Sequence, residues 1–132
     1  MANFGFPKAS RLLNASAFEA VFSRNQFKVS NRNFLILALN TDGPSRLGIV
    51  IAKKNIASAV KRNRIKRLIR ESFRTSTSRP ANKDMVVLVR KGADKLSNPE
   101  IRHNLEQLWQ DLKAKSASTN EASRKRTGTT HG

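Results

Sequence analysis

Apolar positions in the first half of the chain predict a helix followed by three strands. Phe18, Val21 and Phe22 recur at helical spacing and form the apolar face of a helix over residues 12–22, with Asn14 or Ser16 as its N-cap. Continuous apolar runs at residues 34–39 and 47–52 flank a turn cluster and predict an antiparallel hairpin. A short segment at residues 26–29 is predicted as an additional edge strand.

The second half of the chain predicts a long helix, a strand and a final helix. The long helix covers residues 57–75 and ends before a Ser-rich segment and Pro80, and a β-branched strand follows at residues 85–89. Ser97 and Glu100 form a capping box at the start of the last helix. Its apolar stripe consists of Ile101, Leu105, Leu108, Trp109 and Leu112.

The order α-β-β-β-α-β-α predicts a single α+β domain with a mixed sheet of about four strands and helices packed on it. If the strands on either side of the long helix share that sheet, they are parallel to each other. We assign this domain to residues 1–113. Residues 114–132 lack large apolar side chains and are predicted to form a disordered basic tail.

Composition narrows the classes of function. The chain has 132 residues, a formal net charge of +17 and no Cys, which excludes disulfides, thiolate nucleophiles and Cys-based zinc sites. No apolar run is long enough to cross a membrane, and the opening residues, which lack an apolar stretch, are not expected to form a secretory signal. We therefore expect a cytoplasmic protein that binds a polyanion, with no membrane partner and no small-molecule substrate.

The long helix concentrates the positive charge. Ten basic residues and a single acid, Glu71, lie between Lys53 and Arg79. At about 100° per residue, the apolar side chains share one face and the opposite arc of roughly 100° is polar and cationic. That arc contains Asn63, Lys66, Arg67, Arg70 and Arg74.

Three interpretations of the cationic face are open. A membrane-binding helix would sink its apolar face into lipid, but here the sheet needs that face. A helix face that is only solvated would normally carry acidic residues four positions away from the basic ones. Here Glu71 is the single acidic residue of the helix. Nucleic acid fits best, because the planar fork of Arg grips two phosphate oxygens and Lys adds a mobile point charge.

Residue types that perform catalysis are sparse and scattered. The two histidines, His103 and His131, have no acid and nucleophile in a catalytic pattern near them. No paired-carboxylate metal site and no phosphate-binding glycine loop is visible in the sequence. We therefore predict no catalytic residue and no metal held by the protein alone.

Residues 59–73, AVKRNRIKRLIRESF, resemble the RNR signature of the bacterial ribonuclease P protein family. The flanking segments resemble the same family. They are GIVIAKK at residues 48–54 and the opening FPK at residues 6–8, which is followed by Arg11. The resemblance covers residues 6 to 112. It implies a left-handed β-α-β crossover around the basic helix, against the usual right-handed rule.

The resemblance also implies a function. Family members join a catalytic RNA that removes the 5′ leader of precursor tRNA, and Mg²⁺ bound mainly through RNA supports the cleavage. The protein helps to bind the leader, steadies the RNA and raises metal affinity. The residues that match the family's catalytic-RNA contacts are Lys53, Lys54, Lys61, Arg62, Asn63, Arg64, Lys66, Arg67, Arg70 and Arg74. Those that match its leader cleft are Arg11, Phe18, Phe22, Phe34 and Lys53.

Two alternatives accompany the resemblance. Phe18 and Phe22 are spaced as ordinary core residues, so they serve either the core or the cleft. This chain has no Tyr, so it lacks the stacking that a cleft Tyr gives to some family members. A structural RNA-binding protein of ribosomal type shares the small size and the charge, but it needs neither the RNR string nor an aromatic pair beside a sheet.

Overall fold

The computed structural model describes residue 11 and residues 14–129, with side chains as far as residue 117. It confirms the α+β class, the order of the elements and the edge strand. The helices are α1 (Ala15–Arg24), α2 (Ala59–Thr75) and α3 (Asn98–Thr129), and a short 3-10 turn covers Ala93–Lys95. The strands are β1 (Phe27–Ser30), β2 (Phe34–Asn40), β3 (Arg46–Ile51) and β4 (Lys83–Val89).

The four strands form one mixed sheet in the order β1-β2-β4-β3. The pairs β1–β2 and β2–β4 are antiparallel, whereas β3 and β4 are parallel neighbours joined through α2. Strands β2 and β3 therefore do not pair as a hairpin, because β4 lies between them. The parallel pair across α2 is confirmed, and its left-handed sense stays a prediction.

One face of the sheet carries the main core, against α2 and α3. Alternate residues of β2 and β4 point into it, among them Phe34, Ile36, Met85 and Val87. The stripe of α3 is buried as predicted, and Trp109 is completely enclosed. This layer fixes α2 by its apolar side and leaves the other side of that helix to solvent.

Among the described elements, α1 is the one that covers the opposite face of the sheet. Val21 packs there against Leu37 and Val86, with Phe18 at the edge of the cluster. Leu35, Leu39, Val50 and Leu88 pack around this cluster and remain partly accessible. The sheet therefore presents a partly open apolar surface beside α1.

Side-chain caps define where the helices begin. The Asn14 side chain accepts a hydrogen bond from the Ala17 amide at 2.8 Å, so Asn14 rather than Ser16 caps α1. The predicted capping box of α3 is confirmed. The Ser97 amide donates to Glu100 Oε1 at 2.8 Å, and the Glu100 amide donates to Ser97 Oγ at 3.2 Å.

The end of α3 differs from the predicted boundary at residue 113. Ser116 is buried, and Lys115 Nζ donates to the Lys28 carbonyl at 2.8 Å, so residues of the predicted tail pack on the domain. The backbone is helical as far as Thr129. Residues 113–127 contain neither Pro nor Gly and are rich in Ala, Lys and Arg, which favour helix.

Two ion pairs of different burial allow a prediction about stability. Arg46 grips Asp84 with two hydrogen bonds of 2.9 and 2.7 Å, and the Asp84 side chain is only 10% exposed. We expect Asp84→Asn to lower the free energy of unfolding by about 1–3 kcal/mol, because a charged and largely buried hydrogen bond is lost. Urea denaturation measures the change.

The matched control is Glu71→Gln. Glu71 meets Arg102 at 3.4 Å with both side chains about half exposed, so the expected cost is below about 0.5 kcal/mol. Equal costs for the two substitutions would contradict the importance of the Arg46–Asp84 pair.

Candidate RNA interface

Helix α2 is anchored by its apolar side. Ser58 caps it through a hydrogen bond from the Lys61 amide, and its buried residues are Ile65, Leu68, Ile69 and Phe73. The Phe73 ring meets Trp109 of α3 edge-on, with the ring centroids 5.8 Å apart. Trp109 Nε1 also donates to Ser72 Oγ at 2.8 Å. These contacts fix the rotation of α2 about its axis.

The opposite side of α2 faces solvent. Asn63, Arg67 and Arg74 are exposed, while Lys66 and Arg70 are partly exposed. None of the ion pairs found among the described side chains involves these five residues. The structure therefore brings together the five residues of the predicted arc, and we call them the cationic face.

Arg11 adds a further positive charge near this helix. It forms a parallel bridge with Leu47 at the edge strand β3. Burial, and secondly the nearby charge of Arg11, lower the pKa of Arg70. Arginine stays protonated at neutral pH all the same, so two like charges are held close together. A phosphate placed beside them would relieve both the repulsion and the loss of hydration.

Arg62 and Arg64 use part of their hydrogen-bonding capacity inside the protein. Arg62 Nη1 donates to the carbonyls of residues 56 and 57 at 2.9 and 2.8 Å, across the turn that enters α2. Arg64 donates to the Leu96 carbonyl at 2.6 Å and to Asn98 Oδ1 at 2.7 Å. These two residues brace α2 against its neighbours and flank the cationic face.

The remaining lysines predicted to bind RNA lie around the start of α2. Lys53 and Lys54 are exposed in the turn that follows β3. Lys61 is exposed, and its ammonium group lies 3.7 Å from Asp94. The positive surface thus continues from the cationic face to the end of β3.

The aromatic residues predicted for the leader cleft do not all lie on the same side of the sheet. Phe18 is partly buried against the open sheet face, and Phe22, one turn later on α1, is 40% exposed. Phe34 is 0% exposed and belongs to the core on the α2 and α3 side, so its assignment to the cleft is wrong.

The error at Phe34 has a simple origin. In a strand, side chains alternate between the two faces of the sheet, and a continuous apolar run does not tell which residues point where. The structure places Leu35, one residue later, on the open face with Phe18. Leu35 is therefore a residue of the open sheet face that sequence reasoning missed.

Other kinds of site find no support in the described part of the chain. No group of three His, Asp or Glu side chains there is arranged to hold a metal ion. His103 is exposed on α3, and His131 lies outside the described residues. Among the described helices, none is both long and apolar enough to cross a membrane.

A small α+β domain with a firmly anchored cationic helix and an open apolar sheet face defines an RNA-binding protein. The family model described as Ribonuclease P matches residues 6–113. The chain therefore belongs to the ribonuclease P family, whose members are protein subunits of a ribonucleoprotein endoribonuclease.

Individual relatives agree with this assignment. The chain is 47% identical over 111 residues to the ribonuclease P protein component of Marinobacter nauticus, covering 83% of each chain. It is 46% identical over 114 residues to that of Pseudomonas aeruginosa, covering 85% of this chain and 84% of the relative.

Solved structures show the same fold. The ribonuclease P protein of Staphylococcus aureus superposes with a TM-score of 0.70 at 34% identity, over 76% of this chain and 93% of that one. The protein from Thermotoga maritima gives a TM-score of 0.69 at 30% identity, over 77% and 96%. These likenesses favour a ribonuclease P subunit over the alternative of a ribosomal-type protein.

Proposed function

We propose that the cationic face of α2 binds the catalytic RNA of ribonuclease P. The observation that carries this proposal is the anchoring of α2: its apolar side is locked to α3 and the sheet while five polar and cationic residues point outward. Such a surface offers donors to folded RNA without any rearrangement. Lys53, Lys54 and Lys61 extend it, while Arg62 and Arg64 position it and retain donors for phosphate.

The open sheet face beside α1 is proposed to hold the 5′ leader of precursor tRNA. The Phe18 and Phe22 rings and the partly accessible Leu35 and Val50 supply an apolar floor. Stacking of bases on aromatic rings tolerates any base, which suits a leader that varies between precursors. Lys53 at the end of β3 is proposed to contact the phosphates of the leader.

Arg11 is the remaining residue that the resemblance assigns to the leader. Its position at the edge of β3, close to Arg70, places it beside the cationic face. We therefore propose that Arg11 binds phosphate between the two surfaces.

The metal ions are proposed to be bound by the RNA rather than by this chain. The described side chains offer no suitable set of ligands, so they do not fit a Mg²⁺ site held by the protein alone. Mg²⁺ bound to the RNA supplies the chemistry at the scissile phosphate, and the residues of this chain hold and orient the RNA around it. The substrate is an RNA rather than a small molecule, and we place the protein in the cytoplasm, where that RNA is made.

Phe18→Ala tests the leader site. Because the ring is proposed to contact leader bases, the substitution should weaken binding of precursor tRNA to the reconstituted complex by about 1–3 kcal/mol. Binding of a tRNA without a leader should hardly change. Dissociation constants for both RNAs, measured at the same salt concentration, give the comparison.

Val21→Ala is the matched control on the same helix. Val21 is fully buried against Leu37 and Val86, so its truncation affects packing alone. It should lower stability and leave the ratio of the two dissociation constants unchanged. If Phe18→Ala behaves in the same way, Phe18 is a core residue and the leader lies elsewhere.

A further inference from the structure

A polar groove lies at the end of the sheet where β4 begins, on the side covered by α3. Its volume is about 460 Å³. The residues around it come from the end of β2, the segment that enters β4 and the middle of α3. They are Asn40, Thr41, Pro80, Ala81, Asn82, Lys83, Lys113, Ser116 and Ala117.

Lys83 is the unusual member of this set. It pairs with Asn40 in the sheet and is only 6% exposed. Its ammonium group donates to the Ala81 carbonyl at 3.3 Å and lies 5.4 Å from the centroid of the Phe27 ring. Burial lowers the pKa of Lys83, because it disfavours the charged ammonium form.

Among the described lining residues, none offers a carboxylate to balance the charge of Lys83. Lys113 contributes a second ammonium group from α3. The ion pairs found among the described side chains join other residues. A buried lysine is normally paired with an anion, so this groove is suited to receive one.

We propose that this groove binds a phosphate group of RNA, held between Lys83 and Lys113. Ser116 and the side chains of Asn40 and Thr41 line the same space and supply neutral hydrogen-bond donors. A phosphate accepts several such bonds at once and would balance both ammonium charges.

The groove is separate from the surfaces described above. Because β3 and β4 are parallel, Lys83 at the start of β4 lies at the opposite end of the sheet from Lys53, which follows the end of β3. Six or seven residues of strand separate the two ends, or about 20 Å. The groove therefore adds a contact with RNA beyond α2 and the leader cleft, and in this respect it rests on the proposed function.

The first test uses inorganic phosphate and the full chain. Titration followed by NMR should give saturable shifts of the amides at residues 81–83 and 113–117. Lys83→Met keeps the length of the side chain and removes a buried charge, so the fold should persist. It should weaken binding of phosphate at least about tenfold, and Lys113→Gln should weaken it less.

Lys95→Gln is the control, since Lys95 is exposed on the 3-10 turn and does not line the groove. It should bind phosphate as the unsubstituted chain does. Absence of shifts at the groove, or equal affinity for Lys83→Met and Lys95→Gln, would overturn the proposal.

The second test asks whether the phosphate belongs to RNA. Lys83→Met should weaken binding of the catalytic RNA and reduce the slope of log K against log salt by about one, whereas Lys95→Gln should not. If phosphate binds but the RNA affinity is unaffected, the site takes free phosphate and its role with RNA is refuted. If the unsubstituted chain fails to bind the catalytic RNA at all, the proposed function itself fails.

Discussion

The isolated chain is expected to leave precursor tRNA uncut, and addition of the catalytic RNA should release the 5′ leader at low Mg²⁺. The reason is that the chain belongs to a family of protein subunits in which the RNA carries the chemistry, and its described residues supply cations and an apolar surface for binding. The cationic face should lower the repulsion between RNA phosphates and so reduce the amount of Mg²⁺ that the RNA requires. Gel analysis of the products over a Mg²⁺ titration measures both effects.

The RNA without protein is the control for this prediction. It should need more Mg²⁺ than the complex for the same rate of cleavage. Release of the leader by protein that is free of RNA would contradict the assignment of the chemistry to the RNA.

Removal of two arginines from the cationic face should cause the second large effect. Arg67 is exposed and Arg70 is partly buried beside Arg11, so each is placed to hold a phosphate. At physiological salt, one phosphate contact contributes about fivefold to affinity through release of counterions. The double variant Arg67→Ala, Arg70→Ala should therefore bind the catalytic RNA about 25-fold more weakly, and its salt slope should fall by about two.

Arg102→Ala provides the control for charge alone. Arg102 lies on α3 and is paired with Glu71 of α2, and it is not one of the five residues of the cationic face. Its loss removes one charge, half of what the double variant removes, and should leave the salt slope nearly unchanged. A loss of about fivefold for Arg102→Ala, equal per charge to that of the double variant, would mean that net charge, rather than the arrangement of α2, determines binding.

The rotation of α2 could be predicted because its apolar residues recur with the helical period. Once Ile65 and Leu68 are assigned to the sheet, the spacing of 100° per residue places Arg67 and Arg70 outside. The capping box at Ser97 is equally local, since both partners lie within one turn of α3. Features of this kind depend on few residues and need no knowledge of the tertiary fold.

Features that depend on tertiary contacts were harder to predict. The apolar run of β2 has no alternation, so Phe34 was assigned to the wrong face of the sheet. The insertion of β4 between β2 and β3 follows from packing over distant parts of the chain. Lys83 gives no signal in the sequence either, because its burial results from the approach of α3 to the end of the sheet.

Site-directed cleavage of the catalytic RNA from a probe on α2 tests the central claim most directly. The chain has no Cys, so Asn63→Cys provides one attachment point for an iron chelate on the cationic face, and Gln107→Cys provides another on the exposed side of α3. We predict cuts at a few defined positions of the RNA from residue 63 and none above background from residue 107. Equal, diffuse cutting from both positions would contradict binding of RNA through α2.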